Sequence, residues 1–282
     1  MKQSIICITL ACLALTACNQ SEKEAQTRLD AAKEMFEKGE YASVKSEIDS
    51  LRILYPKELK VLKEGLTLMR QTELKETERS IAFCDSLLPV RMAEKEQRVK
   101  EFVLEKEEEY NEIGTYVWKQ QTIERNVQRS YIRCGVDERG EMYLASVYYG
   151  TGALKHTGIT LSTKEGSFAK TASIAYDGGL NYRFTDLGNT TEVVTYKGAN
   201  SEDAIKFIYD NAKERIKAEY TGGKAYTLYI AEGDKKALLA TYELALILSD
   251  IDRIHATKEK AIKRIDYLKE KLTSQSIDSS NE

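Results

Sequence analysis

Few side chains in this 282-residue chain could do chemistry, and their spacing decides which chemistry that would be. There are two histidines, His156 in "LKHTG" and His255 near the C-terminus. A metal centre needs several His, Cys or carboxylate ligands at short, regular spacing. Neither histidine has such neighbours, so both read as bystanders, and no metal or other cofactor is expected. A cysteine nucleophile would need Cys134 beside His156, but "RSYIRCGV" places Cys134 in an apolar strand run, where a thiol stays protonated and inert. Cys84, in "IAFCDSLL", belongs to a different element, and the pattern favours two buried thiols over a disulfide. The chain has no phosphate-binding glycine loop, no G-x-S-x-G and no H-E-x-x-H. Paired carboxylates leave no local signature. Asp177 in "AYDGGLNYRF" and Asp186 in "FTDLGN" stand at strand ends or turns, where sites often lie and where turn chemistry alone also places Asp.

The third chemistry is attachment. Lys2 precedes an almost unbroken apolar run from Ile5 to Ala17, which ends at Cys18 and the polar "NQSEKEAQ". A positive n-region and a short apolar h-region form a secretory signal peptide; a permanent bilayer helix needs about 20 apolar residues. Leu15-Thr16-Ala17-Cys18 resembles the lipobox of bacterial lipoproteins. The resemblance implies removal of residues 1–17, acylation of Cys18 on sulfur and on its new amino terminus, and a membrane partner held through that lipid. Several acyl chains on one residue anchor permanently where a single chain holds marginally. Asn19, in place of Asp, implies by resemblance to Gram-negative sorting rules the outer membrane. Residues 18–27 read as a flexible tether.

The aromatic content points to binding. Trp118, Tyr131, Tyr143 and Tyr182 fall in strand-like segments, with Tyr148, Tyr149, Tyr176 and Tyr196 around them. Tyrosine suits a half-buried sheet, and it also offers a large apolar body with a polar tip. Alternation sets Tyr131 and Arg133 against Ser130, Ile132 and Cys134, giving one Tyr/Arg-rich face and one packed face. Trp118, Tyr131, Tyr143 and Tyr182 are therefore the candidate ligand face, suited to a glycan or another protein. The formal net charge of −3 gives no case for nucleic acid.

Those residues need elements to position them. Leu29, Ala32, Phe36, then Tyr41, Val44, Ile48 and Leu51 follow helical spacing around Gly39, and Tyr55-Pro56 closes the second helix. Ala32-x6-Gly39-x-Tyr41-x2-Val44-x3-Ile48-x2-Leu51-x4-Pro56 resembles one tetratricopeptide repeat, but the pattern does not recur about 34 residues on. A single helical hairpin is expected rather than an array. A third helix should run from about 58 to 88 on Leu62, Leu66, Met69, Ile81, Cys84 and Leu88 and stop at Pro89. A fourth should span about 91–112 on Val99, Phe102, Val103, Tyr110 and Ile113.

From 114 to about 232 the period becomes 2. Three hairpins turning at Asp137–Gly140, Lys164–Gly166 and Leu187–Thr190 predict an antiparallel meander. A helix over 201–219 and the strand "KAYTLYIA" complete this module. Residues 234–272 carry a and d positions over Leu244, Ile247, Ile251, Ile254, Lys258, Ala261, Ile265, Leu268 and Leu272, a coiled-coil-like seam. Its basic stretch Arg253–Lys271 predicts pairing with the glutamate-rich 101–112, and 273–282 reads as a disordered tail.

The fold class expected is α+β: N-terminal helical hairpins or bundle over 28–113, a central antiparallel β-meander over 114–232, and a long C-terminal helix packing back on the helical part. The function expected is non-catalytic binding or scaffolding in the cell envelope. The alternatives are an assembly factor working through its helices or a carboxylate-dependent glycan hydrolase.

Overall fold

Periods of 3.6 and 2 separate along the chain, and the elements follow them. The computed structural model describes residues 2–106 and 112–280, with side chains for 20–106 and 112–275. The helices are α1 (Lys2–Glu37), α2 (Tyr41–Leu54), α3 (Leu59–Arg98), α4 (Glu202–Asp210) and α5 (Glu232–Ser280). The strands are β1 (Phe102–Glu105), β2 (Thr115–Trp118), β3 (Tyr131–Asp137), β4 (Met142–Gly150), β5 (Gly158–Ser162), β6 (Phe168–Lys170), β7 (Asn181–Asp186), β8 (Asn189–Lys197), β9 (Lys217–Thr221) and β10 (Tyr226–Tyr229). Two compact units result, a helical one of Met1–Ser86 and His255–Glu282 and an α/β one of Leu87–Ile254. The α+β class and the long C-terminal helix stand as expected.

In the helical unit Ala25, Leu29 and Ala32 of α1 meet Val44, Ile48 and Leu51 of α2 and Val61 and Leu68 of α3 in one buried cluster. Gly39 takes φ +75° and lets the chain reverse. Its N–H reaches Phe36 O at 2.9 Å and that of Glu40 reaches Met35 O at 3.0 Å, the paired bonds that close a helix on a left-handed glycine. A single hairpin is followed by one long helix. The C-terminal part of α5 lies along α3, with Lys258 on Asp85, Arg264 on Glu73, and Thr67 Oγ1 donating to Gln275 Oε1 at 3.3 Å. Ala261 and Leu268 of the expected seam are buried there.

In the α/β unit β1-β2-β3-β4-β8-β7 form a six-stranded antiparallel sheet and β10-β9-β5-β6 a four-stranded one. Ile132, Leu144, Val194 and Tyr196 of the larger sheet pack against Ile159, Leu161, Ala218 and Tyr220 of the smaller, with Ile205 and Ile208 of α4 closing the layer. Leu244 and Leu248 of α5 cover Phe102, Tyr116 and Val136.

Several expectations need correction. Residues 18–27 are no flexible tether: α1 runs through them, and Ala25 is fully buried. Pro89 does not end α3, which runs on to Arg98, although proline forfeits the bond to the carbonyl four residues back and crowds it. Arg91–Asp250 at 3.0 Å and Arg98–Glu243 at 2.6 Å hold the segment beyond it. The inward stripe of α3 is Val61, Gly65, Leu68, Thr72 and Cys84; the expected Cys84 is buried and Leu62 and Met69 are half-buried against the core, whereas Leu66 is exposed. The fourth helix expected over about 91–112 is helical only to Arg98, as the end of α3, and gives way to β1 with Phe102 registered on Trp118. Glu101 and Glu105 would be like charges one helical turn apart, which disfavours the helix. Tyr110 lies outside the described residues. The basic stretch 253–271 of α5 lies along α3, with Lys258 on Asp85 and Arg264 on Glu73, while the earlier Leu244 and Leu248 cover Phe102; residues 107–111 lie outside the described residues. The helix expected over 201–219 ends at Asp210, where Asn211 Nδ2 donates to Phe207 O at 2.8 Å. Ile216, Ala218 and Tyr220 then alternate inward, Ala218 and Tyr220 as part of β9. The meander divides between two sheets, because β5 and β6 leave β4 and β8 to pair directly. The tail is helical to Ser280, with no Gly or Pro to stop it.

Truncating Leu268, which is 1% exposed, should cost about 2–5 kcal/mol in Leu268→Ala. Ile262→Ala, at a position 50% exposed, should cost about 0.5 kcal/mol or less. Urea unfolding followed by circular dichroism compares the two, and equal losses would contradict the packing of α5 on α3.

Candidate functional site

Period-2 alternation turns one set of side chains outward across four adjacent strands. In β8 the pattern is strict: Thr190, Glu192, Val194 and Tyr196 are buried, and Thr191, Val193 and Thr195 are half-exposed on the other side. Pairing carries that outer set across the sheet. One row runs Tyr131, Val147, Val193, Tyr182, and the next Tyr149, Thr191, Phe184. The segment 119–129 closes one flank with Ile123 and Val127, which are exposed, as is Phe184. Together they surround a shallow cavity of about 120 Å³ lined also by Arg129 and Arg133.

The two arginines are internally neutralised. Arg133 Nη2 donates to both carboxylate oxygens of Glu105, at 3.0 and 2.9 Å. Its Nε is buried without a hydrogen-bond partner. Arg129 pairs with the buried Asp234 and lies over the Tyr131 ring at 4.9 Å. Gln121 fixes this flank to the sheet: its Nε2 donates to Ile132 O at 3.0 Å and Asp234 Oδ1 at 3.1 Å, and its Oε1 accepts from Cys134 N–H at 3.1 Å.

Three of the four expected ligand-face residues share this side. Tyr182 is half-buried at the end of the first row. Tyr131 contributes an edge only, since it is 3% exposed under the arginines. Tyr143 lies across Gly135, where a Cβ would stand 2.5 Å from its Cε1; burial pushes its phenol well up. Trp118 is a correction. It points to the opposite face, edge-on to Phe102 with ring centres 5.3 Å apart, because Tyr116 two residues earlier faces inward with it. In the sequence Tyr149 stands only among the surrounding aromatics, and Phe184 is not singled out. Their spacing of two from Val147 and Tyr182 was readable, but the register that aligns them was not.

The other candidates resolve separately. Asp177 Oδ1 accepts the N–H groups of Gly179 and Asn181 at 2.8 and 2.9 Å, a turn role that holds its carboxyl below the usual range. Asp186 ends β7 opposite Asn189, exposed. Cys84 and Cys134 are free and buried. Burial pushes the Cys134 thiol up to about 12, and its contacts are Gln121 and Thr241 rather than His156. His255 is exposed. The side chain of Cys18 lies outside the described residues. Among those described, no cluster of His, Cys, Asp and Glu could hold a metal ion, and no helix is long and apolar enough to cross a membrane.

His156 is no bystander. Its Nδ1 and Glu192 Oε2 are 2.9 Å apart, its Nε2 and Ser146 Oγ 2.9 Å, and Ser146 Oγ and Tyr196 OH 2.9 Å. An ionised carboxylate only accepts, so Nδ1 carries the proton, Ser146 O–H donates to Nε2, and Tyr196 O–H donates to Ser146. Ser, His and Glu are in the order of a nucleophilic triad. Yet Ser146 is 0%, His156 1% and Glu192 2% exposed, so no substrate carbonyl has an approach to Ser146 Oγ.

No family model, curated protein or solved structure matches the chain.

The network has a pH signature. Burial holds the His156 imidazole below its ordinary value near 6.5, outweighing the opposing pull of Glu192. Burial alone would raise the Glu192 carboxyl, but the N–H groups of Lys155 and His156 and the imidazole hold it below 4.5. The unfolded chain therefore binds more protons than the folded one below about 6.5, so stability is complete above that pH and falls as pH drops. The other histidine, His255, is exposed. The thermal midpoint should fall between pH 6.5 and 5 in the wild type and change less in His156→Asn. Identical midpoints at pH 7.5 and 5 would contradict this. Glu192→Gln should cost about 1–3 kcal/mol at neutral pH, because it weakens hydrogen bonds to a buried carboxylate and leaves no unpaired charge.

Proposed function

We propose that the protein is a lipoprotein anchored to the outer membrane through Cys18 that binds its ligand, without catalysis, on the outer face of the six-stranded sheet. The observation that carries this reading is the outer part of two rows, where Tyr149, Tyr182, Thr191 and Val193 are half-exposed and Phe184, Ile123 and Val127 exposed, with Tyr131 and Val147 buried at its inner edge. Aromatic anchors of this kind dominate binding energetics. With Arg129 and Arg133 already paired to Asp234 and Glu105, the face favours a neutral, hydroxyl- or carbonyl-bearing ligand over a polyanion. A glycan or a protein segment has this chemistry. The lipobox and Asn19 support the membrane assignment.

A second reading, an envelope assembly factor working through its helices, is supported by a groove of about 620 Å³ along the hairpin, lined by Phe36, Leu68 and Leu74 between Lys33, Glu64 and Lys75.

Tyr182→Ala and Phe184→Ala should each weaken retention of isolated cell-wall glycan or envelope protein on the immobilised protein about tenfold, with unchanged circular dichroism. Asp177→Asn and Asp186→Asn should leave retention intact. Release of reducing sugar by the wild type, abolished in the Asp variants and kept in the aromatic ones, would overturn the binding reading in favour of a hydrolase.

A further inference from the structure

One end of the helical unit exposes an apolar cluster. Ile53 and Leu54, at the end of α2, and Leu59, at the start of α3, are 78%, 55% and 75% exposed, whereas Leu51 just before them is fully buried. The place of the turn they flank is fixed against α1. Tyr55 O–H donates to Glu24 Oε2 at 3.3 Å, and one turn further along Arg28 Nη1 meets Glu47 Oε1 at 2.6 Å. Cys18 precedes Glu24 by six residues on that same helix, about 9 Å of axial rise. Arg52, Lys57 and Lys60 are exposed around the apolar residues, with Asp49, Glu22 and Glu58 as the neighbouring acids.

We infer that this tip is a bilayer contact. Ile53, Leu54 and Leu59 enter the headgroup–acyl boundary, and Lys57 and Lys60 lie among the lipid phosphates. The inference rests on lipid attachment at Cys18 proposed above. Apolar side chains gain by leaving water at that boundary, and lysine stems lie along apolar surface with their ammonium groups kept outside. Tyr55 has the amphipathic character of residues enriched at membrane interfaces. The decisive feature is the helical segment after Cys18. A flexible tether would leave the orientation of the unit open, whereas a helix starting at the lipidated residue brings the α2–α3 turn to the lipid surface. The mixed charge of the rim makes the apolar residues, rather than electrostatic attraction, the main contributors.

The test uses the lipidated protein in vesicles of phosphatidylethanolamine and phosphatidylglycerol, with an environment-sensitive fluorophore on Leu59→Cys or, at the far end of the hairpin, on Lys38→Cys. Cys84 and Cys134 are buried and do not compete for label. The label at 59 should emit to the blue and be quenched severalfold more by acyl-brominated lipid than the label at 38, and Ile53→Ser with Leu54→Ser should reduce both effects. Equal quenching at the two positions, with acyl groups on Cys18 verified by mass spectrometry, would overturn the inference and leave the anchor standing. Quenching that follows protein density rather than brominated lipid would assign the cluster to a second copy and likewise overturn it. A chain without acyl groups that fails to float with vesicles would remove the anchor, and the tip contact with it.

Discussion

The carboxylate of Glu192 sits where the chain leaves the larger sheet for the smaller one. It accepts the N–H of Lys155 at 2.8 and 2.9 Å, that of His156 at 3.3 Å and the imidazole Nδ1–H at 2.9 Å. A buried charge with so many donors is tolerated, where an unpaired one would be prohibitive. Lys155 takes φ +61°, an unfavourable conformation for a side-chain-bearing residue, and the two bonds from its N–H hold it there. The crossover, the tautomer of His156 and the protons of Ser146 and Tyr196 all follow from this one ionised group.

Because Glu192, Val194 and Tyr196 point inward, Thr191, Val193 and Thr195 point outward; a period of two permits nothing else. Inward, the second sheet, α4 and the start of α5 supply a cover. Outward, the segment 119–129 covers only one flank. The result is an aromatic face whose cations are already neutralised, a surface suited to stacking and hydrogen bonding rather than to general acid–base chemistry. The triad-like Ser146, His156 and Glu192 sit on the covered side, where they hold the sheets in register.

The elements legible in the sequence were those with a long, uninterrupted period. The α1–α2 hairpin, the β3–β4 and β7–β8 hairpins and α5 all belong to this group, as does the Tyr131/Arg133 alternation. What was not legible depended on partners distant in sequence. Phe102 and Val103 fit a helix pattern, and only pairing with β2 makes them a strand. Ile216 continues the stripe of α4, and only the register of β9 with β5 turns the following residues into alternation. His156 looked isolated because Ser146, Glu192 and Tyr196 reach it from strands up to 40 residues away. Trp118 was misassigned for the same reason, since its side of the sheet is set by the pairing of β2 with β1 and β3.

The proposed binding face is tested most directly by hydroxyl-radical footprinting of the protein in the envelope to which the lipobox would assign it against the purified protein. Tyr149, Tyr182 and Phe184 should be protected in the envelope, while the exposed turn residues Tyr176 and Leu187 are modified equally in both states. Equal modification of Tyr149, Tyr182 and Phe184 in the two states, with protection confined to the helical unit, would contradict the sheet as the binding surface.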